Sequence, residues 1–193
     1  MASKSELRRS VRQGRRQEQP RIADQRSRLL TSFLPLLQTY SDGGVAGFQP
    51  TNSEPDVSPL LRDLNRRSPV YLPRISAEEL EWVAAEPEVL VAGQTGIPHP
   101  PGNTVATGSA IATQLGITLL LVPALAIDPV TGTRLGYGAG WYDRLLASIP
   151  QERRPFVVGV CRHVDLIPVP AESHDEPVDA VLTEAGLQRI NLR

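Results

Sequence analysis

Apolar residues along this chain switch between two spacings. Leu7 and Val11 lie one helical turn apart behind Ser3 and Glu6, whose three-residue separation is that of a capping box, and together they predict a helix over residues 4 to about 17. Ile22, Leu29, Leu30, Phe33 and Leu37 keep helical spacing and predict a second helix over about 21–37, with Pro35 at its frayed end. Short apolar runs bounded by turn residues then predict buried strands at 45–48, 70–73, 80–85, 117–122, 156–161 and 178–182. A helix carrying Leu60, Leu61 and Leu64 follows the polar segment 49–56, and another enters near Trp141 and leaves before Pro150. Residues 93–109 are rich in Gly and Pro and read as a loop able to line a cleft. Helices alternating with buried strands predict one α/β domain spanning residues 1–193. Its expected form is a three-layer, Rossmann-like domain with a mostly parallel sheet flanked by helices.

Composition narrows the functional classes. Lys plus Arg total 20 against 21 Asp plus Glu, a net charge of -1, which removes the global positive field of an unspecialised nucleic-acid binder. The apolar run at 117–127 falls short of the roughly 20 residues of a membrane span. Cys161 is the only cysteine, so no disulfide framework exists and a reducing cytoplasm is the expected compartment. Nineteen of the cations are arginines and one, Lys4, is a lysine. A GC-rich genome produces such a bias. The surviving lysine is then either a position that needs a compact ammonium or a chance remnant near a terminus.

Lys4, Arg8 and Arg12 recur at i, i+4 and i+8 on the first helix. Such a face fits a phosphate site, a basic leader peptide or an ordinary solvated surface, and Glu6, Glu18 and Asp24 argue against the leader. A stronger signal is Arg134-Leu135-Gly136-Tyr137-Gly138-Ala139-Gly140-Trp141-Tyr142-Asp143, with glycines at alternate positions between a buried strand and a helix. Glycines there let backbone amides and a helix N-terminus approach an anion, Arg134 supplies a forked phosphate donor, and Asp143 supplies a carboxylate suited to magnesium. A structural turn with Asp143 at the start of its helix has the same pattern. His99, His163 and His174 lack metal-ligand spacing, no nucleophile elbow occurs, and Cys161 in an apolar run reads as an inert core thiol.

The segment Val122-Pro123-Ala124-Leu125-Ala126-Ile127-Asp128, then Gly132 and the run from Arg134 to Leu146, resembles the signature of the 5-formyltetrahydrofolate cyclo-ligases, also called 5,10-methenyltetrahydrofolate synthetases. Lys4 with Leu7-Arg8, Glu54-Pro55-Asp56, Leu72-Pro73-Arg74, His174-Asp175 and Val178-Asp179 extend the resemblance over nearly the whole chain. It implies a NagB/RpiA-like fold and ATP-dependent closure of 5-formyltetrahydrofolate to 5,10-methenyltetrahydrofolate with release of ADP and phosphate. By position it implies that Arg134 and Tyr142 are catalytic. Lys4, Arg8, Arg134, Leu135, Gly136, Tyr137, Gly138, Ala139, Gly140, Trp141 and Tyr142 would bind ATP. Gln49, Glu54, Tyr137, Gly138 and Trp141 would contact the folate, and Asp143 and Asp179 would hold Mg2+. The partners implied are the two substrates, with no nucleic acid or membrane, and the chain is expected to be a monomer or weak dimer.

This chain also departs from the family pattern. His99 stands in Ile97-Pro98-His99-Pro100 where many members carry Ile-x-Glu-Pro, residues 162–165 lack a common glutamine, and Trp141 replaces a commoner tyrosine. Two other functions remain open on sequence alone: a non-catalytic folate or nucleotide binding protein of the same fold, and a nucleic-acid module led by the N-terminal arginines.

Overall fold

A computed structural model of the chain describes residues 2–51, 54–76, 79–84, 91 and 99–190. Helix α1 (Lys4–Arg16) begins as the capping box requires: the Ser3 side chain accepts from the Glu6 amide, and the Ser3 amide donates to Glu6 Oε2 at 2.8 Å. The single helix expected over 21–37 is two, α2 (Pro20–Thr31) and α3 (Leu34–Gln38). The break has a covalent cause. Pro35 has no amide to donate to the Thr31 carbonyl and its ring crowds that group, so the chain tightens at Ser32 and Phe33 into bonds to Leu29 and Leu30.

Strands β1 (Gly44–Ala46), β2 (Val70–Ile75), β3 (Leu80–Ala84), β4 (Thr104–Thr107), β5 (Ile117–Pro123), β8 (Phe156–Val160), β9 (Ala180–Thr183) and β10 (Gly186–Arg189) form one sheet in the order β10-β9-β8-β5-β1-β2-β3-β4. Helix α4 (Ser58–Asn65) connects β1 to β2, α5 (Ala110–Thr113) precedes β5, and α6 (Trp141–Ser148) precedes β8. Strands β6 (Ala126–Ile127) and β7 (Arg134–Leu135) make a separate two-stranded ribbon. The central ladders, β9 to β8 to β5 to β1 to β2, are parallel, whereas β10 and the β2-β3-β4 edge pair antiparallel. The parallel sheet is thus the middle of the molecule rather than the whole of it. Strand β4 lies inside the stretch expected to be a loop. Ala85 of the expected strand and residues 93–98 of the expected loop lie outside the described residues.

Alternation along β5 defines the layers. Leu119 and Leu121 pack with Leu30, Leu60, Leu61 and Leu64 of α2 and α4, while Leu120 and Val122 pack on the other face with Ile111, Leu145 and Leu146 of α5 and α6. A smaller cluster of Val11, Leu125, Ala126, Leu135 and Val169 fastens α1 to the β6–β7 ribbon. The three-layer α/β expectation therefore holds. From β1 the chain moves outward to β2, and it returns to place β5 on the opposite side of β1. The carboxyl ends of β1 and β5 thus form a switch point, where open α/β sheets bind ligands.

Candidate active site

A cavity of about 830 Å3 opens at this switch point. Its walls come from Phe48 and Gln49 after β1, from Pro73, Arg74 and Ile75 of β2, from Pro123 at the end of β5, and from the segment 136–143 leading into α6. Thr51, Glu54, Glu81 and His99 complete its far side. Most site residues expected from sequence line this one cavity: Gln49, Glu54, Arg134, Gly136, Tyr137, Ala139, Gly140, Trp141, Tyr142 and Asp143.

One end of the cavity has the chemistry to receive an anion. Gly138 and Gly140 adopt φ of 112° and 68°, where side chains are strained, and Gly140 begins α6 without any side-chain cap on the helix amides. Arg134 leaves the β7 strand with 3% of its side chain exposed, and its Nη2 donates to Asp143 Oδ1 at 2.6 Å. Its Nε is buried with no hydrogen-bond partner among the described residues. Burial pushes the Arg134 pKa down, and Asp143, Tyr142, Asp175 and Glu176 work against that shift. A phosphate oxygen would supply the missing acceptor and add a negative charge beside that of Asp143.

The other end holds a carboxylate. Glu54 Oε2 accepts from the Thr51 amide at 2.7 Å, and its carboxyl also hydrogen-bonds the Tyr137 side chain. Burial nevertheless raises the Glu54 pKa, against those bonds and the nearby Arg15 charge. Tyr142 feels the charges of both Glu54 and Arg134, and burial pushes its phenol upward, so at neutral pH it is a hydrogen-bond donor. Tyr137 and Trp141 add aromatic faces, the latter with Arg144 stacked at 4.7 Å.

Lys4 and Arg8 do not line the cavity. They close its outer side by clasping loops. Lys4 Nζ reaches both oxygens of Asp175 at 2.7 Å and Glu172 at 3.0 Å. Burial opposes its charge, but those bonds outweigh it and raise its pKa. Arg8 Nε donates to the Gly136 carbonyl at 2.9 Å, and Arg12 donates to the Tyr137 carbonyl at 3.3 Å. The basic stripe on α1 is therefore turned onto the glycine loop and onto Asp175, rather than outward as a nucleic-acid surface would need. Leu135 and Gly138 likewise stand behind the lining, Leu135 fully buried against the α1 cluster.

Asp179 is a correction. Expected to hold magnesium with Asp143, it instead accepts from Arg154 Nη1 on both carboxylate oxygens at 3.2 Å and from the Val157 amide at 2.7 Å, beside the amino end of β8. It precedes β9, and the cavity lies past the carboxyl ends of the strands. The acidic groups near Asp143 are Asp175 and Glu176, both felt by Arg134, and the Glu176 amide donates to Asp143 Oδ1 at 3.4 Å. Among the described residues, Glu172, His174 and Asp175 group closely enough for a metal, but the Lys4 ammonium already pairs with the two carboxylates. Sequence reading also passed over Arg15. The signal was an arginine at 15, continuing the Leu7 and Val11 stripe where the spacing calls for an apolar residue.

Comparison with known proteins agrees with this geometry. The sequence profile of the 5-formyltetrahydrofolate cyclo-ligase family matches residues 1–184. A 5-formyltetrahydrofolate cyclo-ligase of Mycolicibacterium smegmatis is 33% identical over 190 residues, covering 94% of this chain and 93% of that protein. The cyclo-ligase of Escherichia coli is 30% identical over 183 residues, covering 90% of this chain and 96% of the relative. Among solved structures, the 5,10-methenyltetrahydrofolate synthetase of Aquifex aeolicus superposes with a TM-score of 0.75 at 28% identity, over 98% of this chain and 94% of that one. No helix among the described residues is long and apolar enough to cross a membrane. With its switch-point cavity, its glycine loop and a family match over residues 1–184, the chain belongs to the 5-formyltetrahydrofolate cyclo-ligase family.

Proposed function

We propose that the cavity performs the ATP-dependent closure of 5-formyltetrahydrofolate to 5,10-methenyltetrahydrofolate, with the nucleotide phosphates at the Arg134 end and the pterin at the Glu54 end. The observation that carries this assignment is Arg134, a buried guanidinium whose Nε has no partner among the described residues, beside a helix start with no side-chain cap among them. At the opposite end, Glu54 is an acceptor for the amino and ring N–H donors of a pterin, with the Gln49 amide beside it in the same wall. Tyr137 and Trp141 offer ring faces on which the heterocycle can stack.

In this arrangement the formyl oxygen attacks the γ-phosphorus. An oxygen–phosphorus bond forms, the bond to the bridging oxygen breaks, and ADP leaves. N10 then attacks the formyl carbon, the carbon–oxygen bond breaks with phosphate as leaving group, and the N10 proton passes to water. Neither step needs a nucleophile from the protein, which suits a cavity whose cysteine, Cys161, is buried away from the lining. What the chain supplies is alignment and charge: Arg134 on the transferring phosphoryl group, and the Tyr142 hydroxyl as a donor between the two substrates.

Magnesium fits the donor set. Asp143 and Asp175 are oxygen ligands of the hard type that this cation takes, and both are presently neutralised by Arg134 and Lys4. When a triphosphate engages the two cations, the two carboxylates become available. Magnesium bound there would neutralise charge on the phosphates. A reducing, ATP-supplied cytoplasm suits the free thiol.

The test is the methenyltetrahydrofolate chromophore, followed after mixing the protein with 5-formyltetrahydrofolate, magnesium and ATP, beside an ATP-free control. An ATP-dependent signal that disappears in Arg134→Ala supports the assignment. Parent-rate turnover by Arg134→Ala overturns it.

A further inference from the structure

Arg15 occupies a buried position on α1, with 1% of its side chain exposed. Its arms divide among three tasks. Nε and Nη2 reach Asp165 at 3.3 and 3.2 Å, and Nη2 also donates to the Ala124 and Leu125 carbonyls at 2.9 Å. Nη1 donates to the Tyr137 hydroxyl at 3.3 Å. The first task does not depend on Arg15 alone, because Arg162 already forks onto Asp165 with bonds of 2.7 and 2.8 Å. The contact with Tyr137 reaches the cavity wall.

The chemistry of that contact gives it a direction. A guanidinium only donates, so the Tyr137 oxygen is the acceptor and its own proton points to an acceptor elsewhere. Glu54 is that partner. Arg15, Tyr137 and Glu54 thus form a chain of donors and acceptors from the α1 interior to the carboxylate at the pterin end. Arg12 covers the Tyr137 ring at 5.5 Å and holds the same side chain from a second side.

We propose that Arg15 is a positioning residue for the folate: acting through the Tyr137 hydroxyl, it fixes the orientation of the Glu54 carboxylate and couples the docking of α1 to the pterin pocket. The proposal rests on the assignment of Glu54 and Tyr137 to the folate end of the cavity.

A double-mutant cycle in the full-length enzyme tests it. Steady-state rates are measured for Arg15→Met, Tyr137→Phe and the double variant, varying each substrate with the other saturating. Each single change is expected to raise the KM for 5-formyltetrahydrofolate about tenfold, the scale of one hydrogen bond to a charged group, with kcat and the KM for ATP within about threefold. The double variant is expected to match Tyr137→Phe alone, since the chain is already cut. A cycle with Arg15→Lys, which keeps a cation beside Asp165, carries the same comparison if the methionine variant does not fold. Multiplied effects, about a hundredfold in the double variant, would make Arg15 a structural prop and overturn the inference while leaving the site assignment standing. An unchanged folate KM in Tyr137→Phe would instead overturn the assignment itself, and the inference with it.

Discussion

Replacing Glu54 by glutamine keeps the shape of the side chain and removes its charge, and the structure gives that change two effects of opposite sign. The first is on folate. A carboxylate can accept from two pterin donors, whereas the amide offers one oxygen and turns an NH2 toward the other donor. Hydrogen bonds to a charged group contribute about 1.5–3 kcal/mol, so losing one raises the folate KM by roughly 10- to 100-fold, at about 1.4 kcal/mol per decade. The second effect is on stability. Burial raises the Glu54 pKa in the folded protein, against the Thr51 amide and the Tyr137 hydroxyl. A raised carboxyl favours folding when protonated. That contribution is complete below the ordinary carboxyl pKa and is lost as pH rises through the folded value. Glutamine behaves as the protonated acid at every pH and keeps an oxygen for the Thr51 amide. Glu54→Gln is therefore expected to melt higher than the parent at pH 8, with the difference shrinking toward pH 4, while the ATP KM stays put. Ligand-free thermal unfolding at both pH values, paired with chromophore assays at saturating ATP, reads both effects. A folate KM within twofold of the parent, or an equal fall in Tm at both pH values, would refute the reasoning.

Arg134→Lys should lower kcat by about 10²–10³ with little change in folate KM, because a point charge cannot replace the fork aimed at a transferring phosphoryl group; a kcat near the parent value contradicts this. Asp143→Asn should raise the magnesium concentration needed for half-maximal rate. Asp179→Asn should leave that concentration unchanged and lower stability by about 1–3 kcal/mol, since Arg154 and the Val157 amide lose a charged acceptor. A magnesium titration shifted by Asp179→Asn and not by Asp143→Asn would reverse the two assignments.

Much of this architecture was legible because the signals were local. The apolar runs at 117–122 and 156–161 have the length and composition of buried strands, and Gly136, Gly138 and Gly140 between a strand and a helix offer either an anion site or a structural turn. Features set by tertiary contacts were less visible. Strand β4 presents one buried residue, Ala106, and so carries no apolar pattern; it exists because β3 offers an open edge. Strand β10 is similarly half-exposed and is defined by its pairing with β9. The two halves of the helix expected at 21–37 share one spacing, and only the missing amide of Pro35 separates them. Asp179 shows a different limit. An acidic residue next to a strand looks alike at either end in sequence, but Asp179 precedes β9 and so belongs at the edge away from the cavity. Asp175 bonds Lys4 and places its charge near Arg134 because the segment before β9 folds back, with the Val178 amide bonded to the Gly132 carbonyl at 3.1 Å.

The claim that the two ends of one cavity bring the γ-phosphate of ATP to the formyl oxygen has a direct isotopic test. 5-Formyltetrahydrofolate labelled with 18O in its formyl group is turned over with magnesium and unlabelled ATP, and the released phosphate is analysed by mass. Transfer through a phosphorylated formyl oxygen predicts one labelled oxygen in each inorganic phosphate formed with product. Label recovered in water, with unlabelled phosphate, would contradict that transfer and the alignment of Arg134, Tyr142 and Glu54 on which it rests.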